Sequence, residues 1–177
     1  MDIKQARVIA EGVKNLLAPF CERIEIAGSI RRNKPEVKDI EIVCVPKEIP
    51  FNTDLFGSVG FERNHAFVEA VGLLGELQEG DPRTGKHFII KHSRGINIDM
   101  YTASLFNWGY IFMIRTGPAD YSHDMARYWR YKKYYGKDGN LYKEGEKDPI
   151  ELKEESDLYD LLKLDFVNPE DRIKIYK

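Results

Sequence analysis

Apolar residues recur every three or four positions near the start of the chain, a spacing that predicts an amphipathic helix from Ile3 to Leu17. Asp2 stands in front of this segment as a candidate N-cap. Residues 23–27 alternate between apolar and polar, and residues 38–45 form a mostly apolar run, so both are predicted strands. Gly28-Ser29 lies between them and predicts a turn of the chain.

The rest of the pattern divides the chain into two parts. It predicts a loop over 47–61, a helix over 64–74, two adjacent strands within 86–101, helices over 105–115 and 118–135, a hairpin turn at Asp138-Gly139 and a helix over 155–164. Pro118 follows the break at Thr116-Gly117 and is predicted at the first helical position. We predict an α+β fold, with a mixed sheet flanked by helices over residues 1–103 and a small helical and hairpin subdomain over 104–177.

Composition and charge narrow the class of protein. The chain has 177 residues, of which 42% are hydrophobic and 32% charged, so it can bury a core and is not of a disordered type. A formal net charge of −2 gives no global basic signature for nucleic acid. There is no signal-peptide pattern and no apolar run of membrane length, so we expect a cytoplasmic protein without membrane association. Cys21 and Cys44 lack metal-type spacing and are expected in the core.

Three acidic residues stand on polar faces of otherwise apolar strands. Asp39 and Glu41 are two positions apart and therefore share a face, and Asp99 holds the corresponding place in the later strand. If the two strands are neighbours, the three carboxylates converge, and such oxygen-only ligands suit Mg²⁺ or Mn²⁺. Two such ions can drive an in-line phosphoryl displacement. The alternative for Asp39 and Glu41 alone is a solvated sheet rim.

The residues before Asp39 are of types that bind phosphate. Gly28 allows close approach of the backbone, and Ser29 offers a hydroxyl and a backbone N–H. Arg31 and Arg32 follow, and if the backbone is extended only one of them faces the site. The alternative for this arginine pair is a solvated surface.

These motifs together resemble the DNA polymerase beta (family X) nucleotidyltransferases. G-S-x-R-R at 28–32, D-x-E at 39–41 and the single Asp99 resemble the palm of that family. MIRTGPADYSHDMARYW (113–129) and ESDLYDLLKLDFVNPEDR (155–172) resemble its thumb, so the likeness runs from about residue 5 to 172. The resemblance implies a palm over 1–103 and a thumb-like subdomain over 104–177.

The resemblance also implies a role for each site residue. Asp39 and Glu41 would bridge two metal ions, and Asp99 would hold the catalytic ion beside the attacking 3′-hydroxyl, where it could accept the proton. The nucleotide would be held by Gly28, Ser29, Arg32, the Lys38 backbone, Thr116 and Gly117. The reaction implied is attack of the 3′-hydroxyl on the α-phosphate of a nucleoside triphosphate, with release of pyrophosphate. Here the protein mainly positions groups and neutralises charge.

The implied protein is a small, monomeric DNA polymerase acting in DNA repair on a primer-template or a gapped duplex. Glu41 stands where the family usually has Asp, and this departure keeps open a catalytically silent nucleic-acid or partner-binding module. Ile114-Arg115 and Ser122 depart from residues that the family uses on sugar and base. They keep open template-independent addition to an RNA or DNA end. No segment resembles the family's lyase domain, so lyase activity is not expected.

Overall fold

Short helices and strands alternate in the computed structural model, which describes residues 1–52 and 59–173. The helices are α1 (Ile3–Leu17), α2 (Gly28–Arg31), α3 (His65–Gly72), α4 (Trp108–Thr116), α5 (Ala119–Tyr131) and α6 (Glu155–Leu162). The strands are β1 (Cys21–Ile26), β2 (Asp39–Pro46), β3 (Glu48–Asn52), β4 (Val59–Arg63), β5 (Gly75–Gly80), β6 (His87–His92), β7 (Asn97–Thr102), β8 (Tyr134–Lys137), β9 (Asn140–Lys143) and β10 (Pro149–Ile150). Two 3₁₀ turns cover Ala18–Phe20 and Pro169–Asp171.

A five-stranded mixed sheet forms the first half of the chain, which we call the sheet part. Its strand order is β1-β2-β7-β6-β5, in which β2 and β7 run parallel and the other neighbours antiparallel. Ile40 and Ile42 of β2 are fully buried in one core with residues of α1 and α3, as are Ile98 and Met100 of β7. The alternate positions of both strands therefore point to the opposite face of the sheet. The predicted mixed sheet flanked by helices is confirmed.

Helix α1 has the predicted bounds, Ile3–Leu17. The side chain of Asp2 accepts a hydrogen bond from the backbone N–H of Lys4 at 2.8 Å, as an N-cap does. The residues predicted on its apolar face are buried, with one exception, Leu16, which is 37% exposed. Periodicity and capping agree in this segment, so its local structure follows from the sequence.

The loop predicted over 47–61 is wrong where the structure describes it. Strands β3 and β4 pair antiparallel there, with Pro50 opposite Phe61, while residues 53–58 lie outside the described residues. Proline has no N–H to donate, but an edge of a two-stranded ladder tolerates it. Strand β5 was also not predicted, because all its residues are exposed and its pattern does not alternate; it forms by pairing with β6.

The C-terminal part, from residue 104 onward, has its own core. Met113 of α4, Met125 of α5 and Leu158 of α6 are fully buried there, together with Leu141 of the β8–β9 hairpin. The hairpin turn at Asp138-Gly139 is confirmed by the pairing of Lys137 with Asn140.

Three predicted boundaries in the C-terminal part are wrong. Helix α4 begins at Trp108 rather than at residue 105, and Pro118 is the N-cap of α5 rather than its first helical residue. Helix α5 ends at Tyr131, because Tyr134 and the residue after it pair with β9 in the hairpin. Tertiary pairing decides this end against the helical periodicity of the sequence.

A third cluster joins the two parts, with Val43 and Tyr101 of the sheet packed against Trp108 and Phe112 of α4. We propose, on the separate cores, that the sheet part and C-terminal part correspond to the predicted domains 1–103 and 104–177. Among the described residues, no helix has both the length and the apolar character needed to cross a membrane.

Candidate active site

The three predicted acids lie on one face of the sheet. Asp39 begins β2 and Glu41 follows two positions later, while Asp99 is directly opposite Glu41 on the parallel neighbour β7. Neighbouring strands are about 4.8 Å apart, so the side chains of paired residues leave the sheet side by side. All three residues are half-buried, on the face opposite the core that holds Ile40 and Ile98. The two strands that carry the acids, β2 and β7, are therefore neighbours in the sheet, which is the condition that the sequence prediction required.

Negative charge accumulates at this place without full compensation. Burial, and then the nearby Asp39 and Asp99 carboxylates, raise the pKa of Glu41 to about 7, although Arg32 opposes the shift. Burial and Asp39 likewise raise the pKa of Asp99, opposed by His87 and Arg115. A raised carboxyl pKa means that the site favours a neutral group or an added cation over another negative charge.

The carboxylate of Glu41 lies against the start of helix α2. Its Oε2 atom lies where a Cβ on Gly28 would stand, and Gly28 has a φ of +58°. The carboxylate also accepts a hydrogen bond from the backbone N–H of Ser29. Glu41 is one methylene longer than Asp, and this length lets it reach back to the start of α2.

Residues predicted to bind phosphate line a cavity next to the acids. This cavity has a volume of about 470 Å³, and Ser29, Arg32 and Lys38 share its wall with Asp39 and Glu41. The Ser29 hydroxyl oxygen and the Arg32 Nε are buried and have no hydrogen-bond partner among the described residues. Three basic residues, Arg32, Lys34 and Lys38, and an unpaired hydroxyl thus line the same cavity as Asp39 and Glu41. This lining suits an anion that is bound together with a cation.

The two arginines point to different places because the backbone here is helical rather than turned or extended. Gly28–Arg31 forms α2, which corrects the predicted turn. Arg31 donates to Glu155 at 2.7 and 3.0 Å and to the Thr116 hydroxyl at 2.6 Å, so it fastens the C-terminal part to the sheet part. Arg32 donates to the Thr116 carbonyl and faces Glu41. Only Arg32 of the pair lines the phosphate-type cavity.

Thr116 and Gly117 lie between the cavity and helix α5. Thr116 is fully buried with its hydroxyl held by Arg31, and Gly117 has a φ of +62° with the Arg32 guanidinium beside it. A second cavity of about 290 Å³ opens here, lined in part by Arg32, Glu41 and Gly117. Arg32 and Glu41 line both cavities, which are therefore adjacent, whereas the predicted nucleotide-binding residues Gly28 and Thr116 line neither.

The donor set at the acids suits a hard divalent cation, because it contains carboxylate oxygens and no thiol or imidazole. Burial, followed by repulsion from Asp39, raises the pKa values of Glu41 and Asp99, and a cation at the site would relieve both effects. Over residues 1–52 and 59–173, however, no three His, Cys, Asp or Glu side chains form a preassembled metal-binding group. Glu41 Oε2 lies against Gly28, and Glu41 also interacts electrostatically with Asp39 and Asp99.

Sequence reasoning missed three contributors. His87 and Arg115 act electrostatically on Asp99, and neither belongs to a motif of the palm. Glu155 lies in the acidic segment predicted as a helix over 155–164, and it is 5% exposed and pairs with Arg31 and Arg172. It is the first residue of α6, and its two arginine partners are 124 and 17 residues away in the chain, so no local pattern indicates them.

Comparison with known proteins agrees with this geometry. Residues 112–173 match the family model of the DNA polymerase beta thumb. The crystal structure of Leishmania infantum polymerase beta in a ternary P/T complex is similar to this chain, with a TM-score of 0.73 and 16% sequence identity. The likeness covers 98% of this chain and 76% of that one. No curated protein matches the sequence.

At this level of identity the structural likeness concerns the fold. The chain has a polymerase beta-like fold, with a mixed sheet flanked by helices and a thumb-like helical subdomain at its C-terminal end. The fold predicted from the resemblance is therefore confirmed. The roles of individual residues are a separate question that depends on the site itself.

Proposed function

We propose that this chain is a metal-dependent nucleotidyltransferase that adds a nucleotide to a DNA 3′-hydroxyl and releases pyrophosphate. The observation that carries the proposal is the pairing of Glu41 with Asp99 on parallel strands, which sets three carboxylates beside a cavity lined by Ser29, Arg32 and Lys38. Carboxylates that hold divalent cations, next to basic groups that hold phosphates, are the parts that nucleotidyl transfer requires. The polymerase beta-like fold supports the same reading.

In this proposal Asp39, Glu41 and Asp99 would hold two Mg²⁺ or Mn²⁺ ions, which would supply charge neutralisation for the phosphates and would lower the pKa of the attacking hydroxyl. Ser29, Arg32 and the Lys38 backbone bind the β- and γ-phosphates at the cavity wall. Gly117 and Thr116 place a backbone turn beside the incoming sugar.

Asp99 accepts the proton of the 3′-hydroxyl as its oxygen attacks the α-phosphorus. The bond from that phosphorus to the pyrophosphate oxygen breaks, and the electron pair leaves with pyrophosphate. Asp99 lies directly opposite Glu41 on the parallel strand β7, which sets its carboxylate beside the other acids, where the proposal has the attacking hydroxyl.

The substrates in this proposal are a nucleoside triphosphate and a DNA primer-template or gapped duplex, and the chain acts as a monomer in DNA repair. Support for DNA as the acceptor comes from the likeness to a polymerase beta whose structure is that of a ternary P/T complex.

A second candidate is template-independent addition to a DNA or RNA end. The Ser122 hydroxyl donates to the Ile114 carbonyl at 3.0 Å, so it is engaged within the protein and is not presented to a base. A third candidate is a catalytically silent binding module. The Glu41 carboxylate accepts the backbone N–H of Ser29, a donor that the first proposal assigns to phosphate, and this favours the binding module.

Primer extension on a duplex with a one-nucleotide gap tests the proposal. We expect the wild type to add one templated nucleotide with Mg²⁺ or Mn²⁺, and EDTA to abolish the product. Asp99→Asn should lose activity by at least about a thousandfold, as expected when a group that acts in the transition state is removed. Glu76→Gln is the matched control, because it removes an exposed carboxylate from strand β5 of the same sheet.

The outcomes separate the three candidates. Addition that is equal on matched, mismatched and absent template supports the second candidate and overturns template use. No addition of any dNTP or NTP, combined with nucleic-acid binding that needs no metal, supports the binding module and overturns the enzyme.

A further inference from the structure

A third cavity, of about 460 Å³, lies between the sheet part and the C-terminal part. Its wall includes Arg63, Lys86 and His87 from the sheet part and Asn107, Arg115 and Asn140 from the C-terminal part. It lies beyond Asp99 along β7, because Tyr101 is two positions further on the same face and also lines the cavity. None of the three acids of the candidate active site lines it.

The cavity has an excess of positive charge. Arg63, Lys86 and Arg115 form no ion pair with any described residue, and Asp138 is the one acidic residue among those that line the wall. Lys86 donates instead to the backbone carbonyl of Asp138 at 2.9 Å. Arg63 donates to the Pro82 carbonyl and to the Thr102 hydroxyl, at 2.8 and 2.9 Å. Neutral partners therefore position Lys86 and Arg63. Asp99 acts electrostatically on Arg115, and Asp81 and Glu48 act on Arg63, but none of these three acids lines the cavity, so its wall has more basic than acidic residues.

Two polar atoms of the wall are also unsatisfied. The Nε2 atom of His87 and the Nε atom of Arg115 are buried without a hydrogen-bond partner among the described residues. A buried polar group of this kind costs stability unless something binds it, so its presence in a cavity wall is evidence for an absent partner.

The chemistry of the wall selects the kind of ligand. The His87 ring stacks on Tyr101 with 4.4 Å between centroids, and the Arg115 guanidinium lies 3.9 Å from the centroid of the Tyr101 ring. Tyr101 is thus already packed against two groups, and it offers little to a nucleobase. The wall offers cationic side chains and N–H donors around a compact volume. These are the groups that bind phosphate.

We propose that this cavity binds a phosphate group. The ligand would bridge Lys86 and Arg63 of the sheet part to Arg115 and Asn140 of the C-terminal part. Asn107 already donates to the Gly139 carbonyl at 2.9 Å, so the hairpin turn is held over the cavity before the ligand arrives. The proposal does not depend on the proposed catalytic function, because it concerns binding at residues outside the three acids.

The test is an NMR titration of the full chain with inorganic pyrophosphate in EDTA, with the backbone amide signals assigned. Saturable shifts are expected at His87, Asn107 and Asn140. Lys86→Gln and Arg115→Gln should each weaken binding about tenfold, the effect of losing ~1.4 kcal/mol. Lys91→Gln is the matched control, since Lys91 is exposed on the same strand and does not line the cavity.

Shifts that are absent, or that are confined to residues 28–32, would overturn the proposal. The second pattern would place pyrophosphate only in the cavity beside the acids, so the two sites are distinguished in one experiment. Lys86 is exposed, so its substitution leaves the core unchanged and a loss of binding cannot be attributed to misfolding.

The source of the phosphate is decided by two more ligands. A tetranucleotide with a 5′-phosphate is compared with the same tetranucleotide carrying a 5′-hydroxyl. If the phosphorylated strand binds more tightly than both pyrophosphate and the 5′-hydroxyl strand, the cavity is assigned to a strand end. If the phosphorylated strand binds no more tightly than pyrophosphate, the cavity is assigned to a free phosphate or nucleotide.

Discussion

The carboxylate of Glu41 lies directly over the α-carbon of Gly28. A methyl group on residue 28 would occupy the place of Glu41 Oε2, and the φ of +58° at Gly28 disfavours any other residue type. The same carboxylate accepts the backbone N–H of Ser29, a group that the proposed function assigns to a phosphate. One side chain therefore connects the metal side of the candidate active site with its phosphate side.

Replacing Gly28 by Ala should destabilise the fold for two reasons, the left-handed backbone and the overlap with Glu41. Backbone strain alone costs about 1–2 kcal/mol. Gly95→Ala is the matched control, because Gly95 has a φ of +81° and no atom near its missing side chain. We expect urea unfolding to show a larger loss for Gly28→Ala, and equal losses would show that Glu41 turns away without cost.

Shortening Glu41 to Asp should free the Ser29 N–H, because the shorter side chain does not reach it. We expect nucleotide to bind about fivefold more tightly in the presence of Mn²⁺, which corresponds to the ~1 kcal/mol of one hydrogen bond. Titration of a fluorescent dNTP measures this. Glu76→Asp, on the exposed strand β5, should bind as the wild type does. Weaker binding by Glu41→Asp would mean that the longer side chain is itself required.

The pH dependence of stability should report on Glu41 in the absence of metal. Its pKa is about 7 in the folded protein and 4.5 in the unfolded chain, so the folded state binds the proton more tightly. The free energy of unfolding should therefore fall as the pH rises from 4.5 to 7, by up to ~3 kcal/mol. Urea unfolding in EDTA across this range measures it. Glu41→Gln lacks the titrating group, and a slope equal to that of the wild type would contradict the prediction.

The Arg31–Glu155 pair should matter far more to stability than its neighbour, Arg23–Glu154. The Glu155 side chain is 6% exposed and contacts Arg31 at 2.7 Å and Arg172 at 2.8 Å. Glu155→Gln leaves the buried Arg172 and the partly buried Arg31 without this counter-charge and should cost about 3 kcal/mol in thermal or urea unfolding.

Glu154→Gln is the control for that substitution, because the Glu154 side chain is 56% exposed and its pair with Arg23 is solvated. It should cost less than about 1 kcal/mol. Similar losses at the two positions would show that the Arg31–Glu155–Arg172 cluster does not hold the C-terminal part on the sheet part.

Much of the fold was predictable because local and global preferences agree. Helix α1 combines a capping Asp2 with a regular apolar stripe, so its two bounds follow from the sequence. The acids on β2 and β7 were recognisable because each alternates with apolar residues of its strand, so its side chain leaves the face opposite to the apolar one. The dipeptide Asp138-Gly139 likewise favours the backbone conformation of a two-residue hairpin turn, whatever its tertiary surroundings.

The sequence by itself determined the local elements and the residue types of the candidate site, since these depend on neighbours along the chain. Tertiary structure alone decided which groups meet. It placed Glu41 over Gly28, sent Arg31 to Glu155 and Arg32 to the cavity, and converted residues 48–52 and 75–80 into strands. Such outcomes depend on side-chain length, burial and hydrogen bonds between segments far apart in the chain, and no local pattern records them.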